Sequence, residues 1–133
     1  MSSEPVVAPL DISVVIPVYR GEDTLPTLLK ELSAYVDVQT TPNGRAYRVG
    51  EVLLVWDRGP MGSDRVIREL DAQYPWVRPI WLSRNFGQHA ATLAGMTSSG
   101  GDWIVTMDED GQQDPAFIGQ MLDTAYANGS QLV

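Results

Sequence analysis

The sequence predicts an α/β fold: a mostly parallel sheet of four to five strands with helices on both faces. Two observations carry that prediction. Short, β-branched apolar runs alternate with amphipathic helical stretches along nearly the whole chain, which is the order of parallel strands joined by crossover helices. The runs are also near-continuously apolar, as strands covered on both faces are. With 133 residues, 44% of them hydrophobic and 20% charged, the chain has the length and composition of one small globular domain or part of a larger one.

Taken in order, residues 1–10 lack the basic start and apolar core of a signal peptide and read as a loose tail. Asp11 to Tyr19 (with Ile12-Ser-Val-Val-Ile-Pro-Val-Tyr) is the first strand, and Pro17, which cannot donate to a ladder, marks its C-terminal end. Leu25, Leu28, Leu29, Leu32 and Val36 recur at helical spacing, so a helix is expected from about Thr24 to Val36. Residues 37–48 are polar and contain Asn43-Gly44, a tight-turn signal that suggests a small hairpin excursion. Glu51 to Trp56 is the second buried strand, and it runs into a Gly- and Pro-rich loop, Asp57-Arg58-Gly59-Pro60-Met61-Gly62.

Ser63 opens a helix whose inner face is Val66, Ile67, Leu70 and Tyr74, and Pro75 ends it. Val77 to Leu82 is a third strand, placed near an edge by Pro79. Gln88 to Ser98 is a helix rich in small residues (Ala90, Ala91, Ala94, Gly95), which would let it lie close to a sheet, and Gly100-Gly101 stops it. Trp103 to Met107 is the fourth strand. Asp114-Pro115 caps and opens a fourth helix to Asn128, with Phe117, Ile118, Met121, Leu122 and Ala125 inward. Gly129 stops it, and Gln131 to Val133 begins a further strand, so residues 11–133 look like the first half of something larger.

Charge narrows the function. Seventeen acids against nine bases give a formal charge of −8, which argues against a nucleic-acid surface. An anionic substrate would need a local cation, from a metal or an Arg, against that field. There is no cysteine, so disulfides and thiolate metal sites are excluded. No apolar run approaches the ~18 residues of a membrane helix. The expectation is a cytoplasmic chain, at the inner face of the membrane in a longer form.

The chemistry concentrates where the fourth strand runs into acids, Met107-Asp-Glu-Asp-Gly-Gln112. Asp108 and Asp110 are two apart, so in an extended turn both carboxylates can reach one cation. Gly111 permits a sharp bend and Gln112 adds a neutral oxygen. An oxygen-only set suits Mg²⁺ or Mn²⁺ better than zinc. Acids after a strand commonly do no more than solubilise a loop, and a lone Asp-x-Asp would not exceed that. Here, however, the unusual residues all fall at strand C-terminal ends, where open parallel sheets bind ligands. These are Pro17, Tyr19, Arg20 and Glu22, then Asp57 and Arg58, then Arg84 and Asn85, then Asp108, Asp110 and Gln112. No Gly-x-Gly-x-x-Gly and no phosphate loop of the NTPase kind is present. A nucleotide can still be held by an Asp on the base or ribose and a metal on the diphosphate, tasks that suit Asp57 and the Asp108/Asp110 pair.

Four stretches together resemble a known family: Ile12 to Tyr19, Glu51 to Asp57, Leu82-Ser-Arg-Asn-Phe-Gly87, and Gly101 to Gln112. They are similar to family 2 glycosyltransferases of the Rossmann-like GT-A fold, in the branch of dolichol-phosphate-mannose synthase-like and polyprenyl-phosphate sugar transferases. The resemblance covers residues 11–133 and matches the N-terminal, nucleotide-sugar-binding half of the family's domain. It implies that Pro17, Tyr19 and Glu22 line the base and ribose site and that Asp57 contacts the base. It implies that Asp108, Asp110 and Gln112 hold Mg²⁺ or Mn²⁺ against the diphosphate, and that Arg84 lies near the phosphates or helps hold its loop. The donor would be a UDP- or GDP-sugar and the acceptor a polyprenyl or dolichyl phosphate, with inversion at the anomeric carbon. Catalytic residues on the acceptor side would lie beyond Val133.

The loop after the second strand departs from the family's usual Asp-Asp-Gly-Ser-x-Asp. Trp56 stands for the first acid, Gly59 for the serine and Met61 for another acid, leaving Asp57. That departure keeps a second reading open, a non-catalytic nucleotide-binding remnant of the same fold. A receiver-type signalling domain fits poorly, because Pro-Val-Tyr rather than paired acids follows the first strand and the only lysine, Lys30, lies in the first helix. A phosphatase of the Asp-x-Asp type would carry its motif after the first strand. Glu109 is expected to point away from its acidic neighbours, Asp102 to face solvent, His89 to be a surface or structural residue, and Trp56 and Trp103 to belong to the core.

Overall fold

The computed structural model describes residues 9–19, 23–57, 63–84, 86–109 and 114–128. In chain order the elements are β1 (Leu10–Val18), α1 (Leu25–Ser33), β2 (Gln39–Thr40), β3 (Ala46–Trp56), α2 (Ser63–Gln73), β4 (Val77–Trp81), α3 (Gln88–Ser98), β5 (Trp103–Thr106), a 3₁₀ turn (Pro115–Phe117) and α4 (Ile118–Asn128). Among the described residues the sheet has five strands. β1 lies between β3 and β5, parallel to both, and β4 pairs parallel with β3. The exception is β2, which pairs antiparallel with the start of β3 and closes the hairpin expected around Asn43-Gly44. Gly44 turns that hairpin at φ 91°, a conformation natural to glycine.

Side-chain alternation sorts the core onto the two faces. On one face Ile12, Val14, Ile16 and Val18 of β1 and Trp103 and Val105 of β5 meet α1, α2 and α4 through Leu25, Leu28, Leu29, Leu32, Val66, Ile67, Leu70, Ile118, Leu122 and Ala125. On the other, Val15, Leu53 and Val55 meet α3 through Ala91. β3 switches phase midway. Tyr47 and Val49 point to the first face, as do Val52 and Leu54, so odd positions give way to even ones. A bulge against β1 between Ile12 and Ser13 absorbs the odd residue, since Ile12 pairs with Val49 and Ser13 with Glu51, leaving Gly50 over.

The small-residue helix sits where its composition requires. A Cβ on Gly95 would lie 2.4 Å from Val15 Cγ1 and 3.0 Å from Val55 Cγ2, so α3 approaches the sheet more closely than any larger residue allows. Pro79 is on β4, which among the described residues pairs only with β3, so the expected edge position holds.

Several expectations are corrected. β3 begins five residues before Glu51, because Ala46 and Tyr47 pair with β2 and Tyr47 to Val49 already pair with β1. β1 takes in Leu10, so the strand starts inside the expected tail. α1 ends at Ser33 rather than Val36, since Ala34 and Tyr35 donate back to Glu31 and Leu32, a tightened last turn that stops the helix. Phe117 is 53% exposed rather than inward, because the first turn after Asp114 is 3₁₀ and rotates it off the buried stripe. The stop at Gly129 and the strand from Gln131 lie outside the described residues. No described helix is long and apolar enough to cross a membrane.

Candidate functional site

β1, β3 and β5 all deliver their C-terminal ends, and α3 its N-terminal end, to one rim. The cleft there has a volume of about 540 Å³ and is lined by Pro17, Val18, Tyr19, Asp57, Gly87, Gln88, Asp108 and Glu109. That volume is in the range of small-molecule sites, roughly 300–1,000 Å³. Four residues expected from the sequence, Pro17, Tyr19, Asp57 and Asp108, therefore meet in one place. Glu22, Asp110 and Gln112 lie outside the described residues, as do Arg20, Arg58 and Asn85.

Each side chain has a local reason for its place. The backbone ladder continues past β3, with Asp57 N–H donating to Val18 O at 3.0 Å and Leu82 N–H to Trp56 O at 3.1 Å. Asp57 is consequently buried, at 4% exposure. Its Oδ1 accepts Phe86 N–H at 2.8 Å and its Oδ2 accepts Gly87 N–H at 3.0 Å. The carboxylate thus fixes the turn that starts α3. A carboxylate has about four lone-pair sites, so two remain for a ligand. Gly87 takes φ 94°, open to glycine and strained for other residues, and sets Gln88 at the first position of α3. Gln88 Nε2 then donates to Asp108 Oδ1 at 3.2 Å.

Arg84 is exposed and does not line the cleft. Its guanidinium stacks on the Phe86 ring, 4.8 Å from the centroid, so it braces the loop that Asp57 holds. Glu109 also lines the cleft, where its carboxylate accepts the Tyr19 N–H at 2.8 Å while that of Asp108 meets Gln88. Gly87, Gln88 and Glu109 were not picked out as site residues. The signal available for the first two was their position directly after Phe86 at the start of a rim helix. Asp102 is exposed and accepts from Asp11 N–H, His89 is exposed, Trp103 is buried and Trp56 is half-buried against Trp81.

Electrostatics constrain the ligand. Asp57, Asp108 and Glu109 line the cleft, and no Lys or Arg does so among the described residues. Such a wall repels a diphosphate unless a cation intervenes. Asp108 is exposed there and offers oxygen, the donor that Mg²⁺ and Mn²⁺ prefer. Among the described residues no group of three metal-ligating side chains forms; of the expected set Asp108, Asp110 and Gln112, only Asp108 is described.

Comparison with known proteins gives a consistent picture. The family model described as glycosyl transferase family 2 matches residues 13–133. The undecaprenyl-phosphate 4-deoxy-4-formamido-L-arabinose transferase of Klebsiella pneumoniae (strain 342) is 38% identical over 115 residues, covering 86% of this chain and 33% of the relative. Its namesake in Pseudomonas aeruginosa (strain LESB58) is 39% identical over 129 residues, covering 94% and 35%. The chain thus spans about a third of the length of the curated relatives it matches. Among solved structures, S. aureus TarS 1-349 superposes with a TM-score of 0.62 at 20% identity, covering 89% of this chain and 32% of that one. A Pyrobaculum calidifontis mannosyltransferase in complex with GDP-Man and Mn²⁺ superposes at 0.60 and 15% identity, covering 81% and 31%. These likenesses place the fold with the GT-A glycosyltransferases.

Proposed function

The chain belongs to glycosyl transferase family 2, and from that membership we propose that its rim cleft is the donor site of a metal-dependent enzyme moving a sugar from a nucleoside diphosphate onto a polyprenyl phosphate. The observation that carries this reading is the meeting of Pro17, Tyr19, Asp57 and Asp108 in one cleft at the strand ends. Pro17, Tyr19 and Glu22 form the wall for base and ribose. Asp57, while holding the Phe86 and Gly87 amides, keeps acceptor capacity toward the base. Arg84 steadies the same loop through Phe86. Asp108, Asp110 and Gln112 hold Mg²⁺ or Mn²⁺, which when bound offsets the charge that grows on the departing nucleoside diphosphate.

The rest of the mechanism follows from charge and reach. Gln88 keeps the Asp108 carboxylate aimed at the cleft. The acidic wall excludes a bare anion, so donor and cation enter together. A lipid phosphate is already anionic near neutral pH, its second pKa being about 6, and attacks the anomeric carbon from the face opposite the leaving group without a general base. The curated relatives are named for an undecaprenyl-phosphate acceptor, which supports that class here. The cytoplasmic face of a membrane is the corresponding location for the full-length protein.

Calorimetry tests the donor reading. The chain, shown folded by circular dichroism, is titrated with UDP-sugars and GDP-sugars, each with Mn²⁺ and with EDTA. Binding of one nucleotide class that needs Mn²⁺ is expected, and Asp108→Ala should weaken it by about tenfold or more. Failure of the folded chain to bind either class with metal would sink the proposal.

A further inference from the structure

We propose that Glu109, the middle residue of the Asp108-Glu109-Asp110 run, is a positioning residue: it bolts the metal-binding turn to the neighbouring base-and-ribose wall at the end of β1. The inference rests on the donor-site reading above and concerns how that site keeps its shape.

Among the described residues, the strand ladder ends just before the turn. β1 and β5 pair from Ile12 opposite Trp103 to Val15 opposite Thr106, and the Met107 N–H donates to Val15 O at 2.9 Å. Among the described residues the β1–β5 ladder ends at Met107, while β1 runs on to Val18. Asp108 and Glu109 therefore leave the sheet just where a metal ligand has to be held still. Beside the Gln88–Asp108 bond, Glu109 carries bonds that take over from the ladder. The Glu109 carboxylate accepts the Tyr19 N–H at 2.8 Å, a bond spanning 90 residues of sequence. Thr24 Oγ1, at the N-terminal end of α1, donates to the Glu109 backbone carbonyl at 2.5 Å. Residue 109 is thus tied through its side chain to the end of β1 and through its main chain to the start of α1.

The consequence is geometric. Tyr19 belongs to the proposed nucleoside wall and Asp108 to the proposed metal set, and Glu109 sets the distance between them. A nucleoside diphosphate spans both, so freedom in that distance weakens its binding and leaves the bare wall unaffected. Hydrogen bonds to a charged group are stronger than neutral ones, and Glu109 supplies such a bond to Tyr19. An amide oxygen at the same place can still accept from Tyr19 N–H, although less strongly.

This predicts a pattern among variants. Glu109→Ala lowers the Mn²⁺-dependent affinity for the nucleoside diphosphate about tenfold or more. Glu109→Gln stays within about threefold of the parent, since its Oε1 replaces the lost acceptor. Were Glu109 a metal ligand or only a source of negative charge, Glu109→Gln would fall as far as Glu109→Ala, and that result overturns the proposal. So does a Glu109→Ala variant that binds like the parent. A second readout stands apart from the donor reading: hydrogen exchange of the Tyr19 amide, followed by NMR without nucleotide or metal. Exchange at Tyr19 should speed up about tenfold or more in Glu109→Ala and stay slow in Glu109→Gln. If the parent binds no nucleotide but this exchange pattern holds, the donor reading fails and the bolt stands. Unchanged exchange in Glu109→Ala removes the bolt.

Discussion

Asp57 shows how one residue serves both the structure and the site. It is buried, and each oxygen accepts one backbone N–H. Asp57→Ala strips acceptors from the Phe86 and Gly87 amides and should destabilise the chain by about 2–4 kcal/mol in urea unfolding, the loss of two charge-assisted bonds. Asp57→Asn keeps one accepting oxygen and turns an N–H₂ toward the other amide, so it should fall between parent and alanine. Gly87→Ala tests the neighbouring backbone: at φ 94° a side chain is strained by about 1–3 kcal/mol. Its unfolding midpoint should drop accordingly, with Gln88 no longer aimed at Asp108. Asp57 and Asp108 were legible in the sequence because acids at strand ends stand out. Gln88 was not, since its role depends on Gly87's backbone angle, and Glu109 was not, since its partner is a main-chain N–H just past the end of β1.

At the level of elements, the order of strands and helices from β1 to α4 was largely legible because period-2 and period-3.6 patterns are local. α3 was recognised from its small residues, and Gly95 shows why they are there. Gly95→Ala drives a methyl to within 2.4 Å of Val15 Cγ1, an overpacking that should destabilise by about 1–3 kcal/mol or shift the helix outward. Thermal unfolding measures the first outcome and loss of nucleotide affinity the second, because α3 carries Gln88. What the sequence concealed is how far elements reach. The start of β3 belongs to a hairpin pinned from afar by Asp123 of α4, which accepts from Thr41 Oγ1, Asn43 N–H and Arg45. A contact across about 80 residues leaves no local pattern to read.

Across the whole molecule, the end of the sheet opposite the cleft is closed by charge. Glu51 accepts from Ser13 Oγ and Gly100 N–H and pairs with Arg78. Burial alone would raise its carboxyl, but the Gly100 amide, the Ser13 hydroxyl and Arg78 outweigh burial and hold it below the usual 4.5. Asp123 is likewise lowered from 3.8, burial being outweighed by Thr41, Asn43 and Arg45. A lowered carboxyl binds its proton less tightly when folded, so its contribution is complete above the unfolded value and disappears as pH falls through the folded one. Melting temperature should therefore hold steady down to about pH 4.5–5 and decline below it. In Glu51→Gln the melting temperature should be lower at neutral pH and the acid decline shallower. The bulge at Gly50 bears on how such a protein can be rebuilt. It resets the in-and-out frame of β3, so the hairpin before it and the stretch leading to Asp57 are separate modules. A hairpin from another protein can be spliced in at that joint and Asp57 will still face the cleft, provided the spare residue travels with the graft; without it, the whole run up to Trp56 turns inside out.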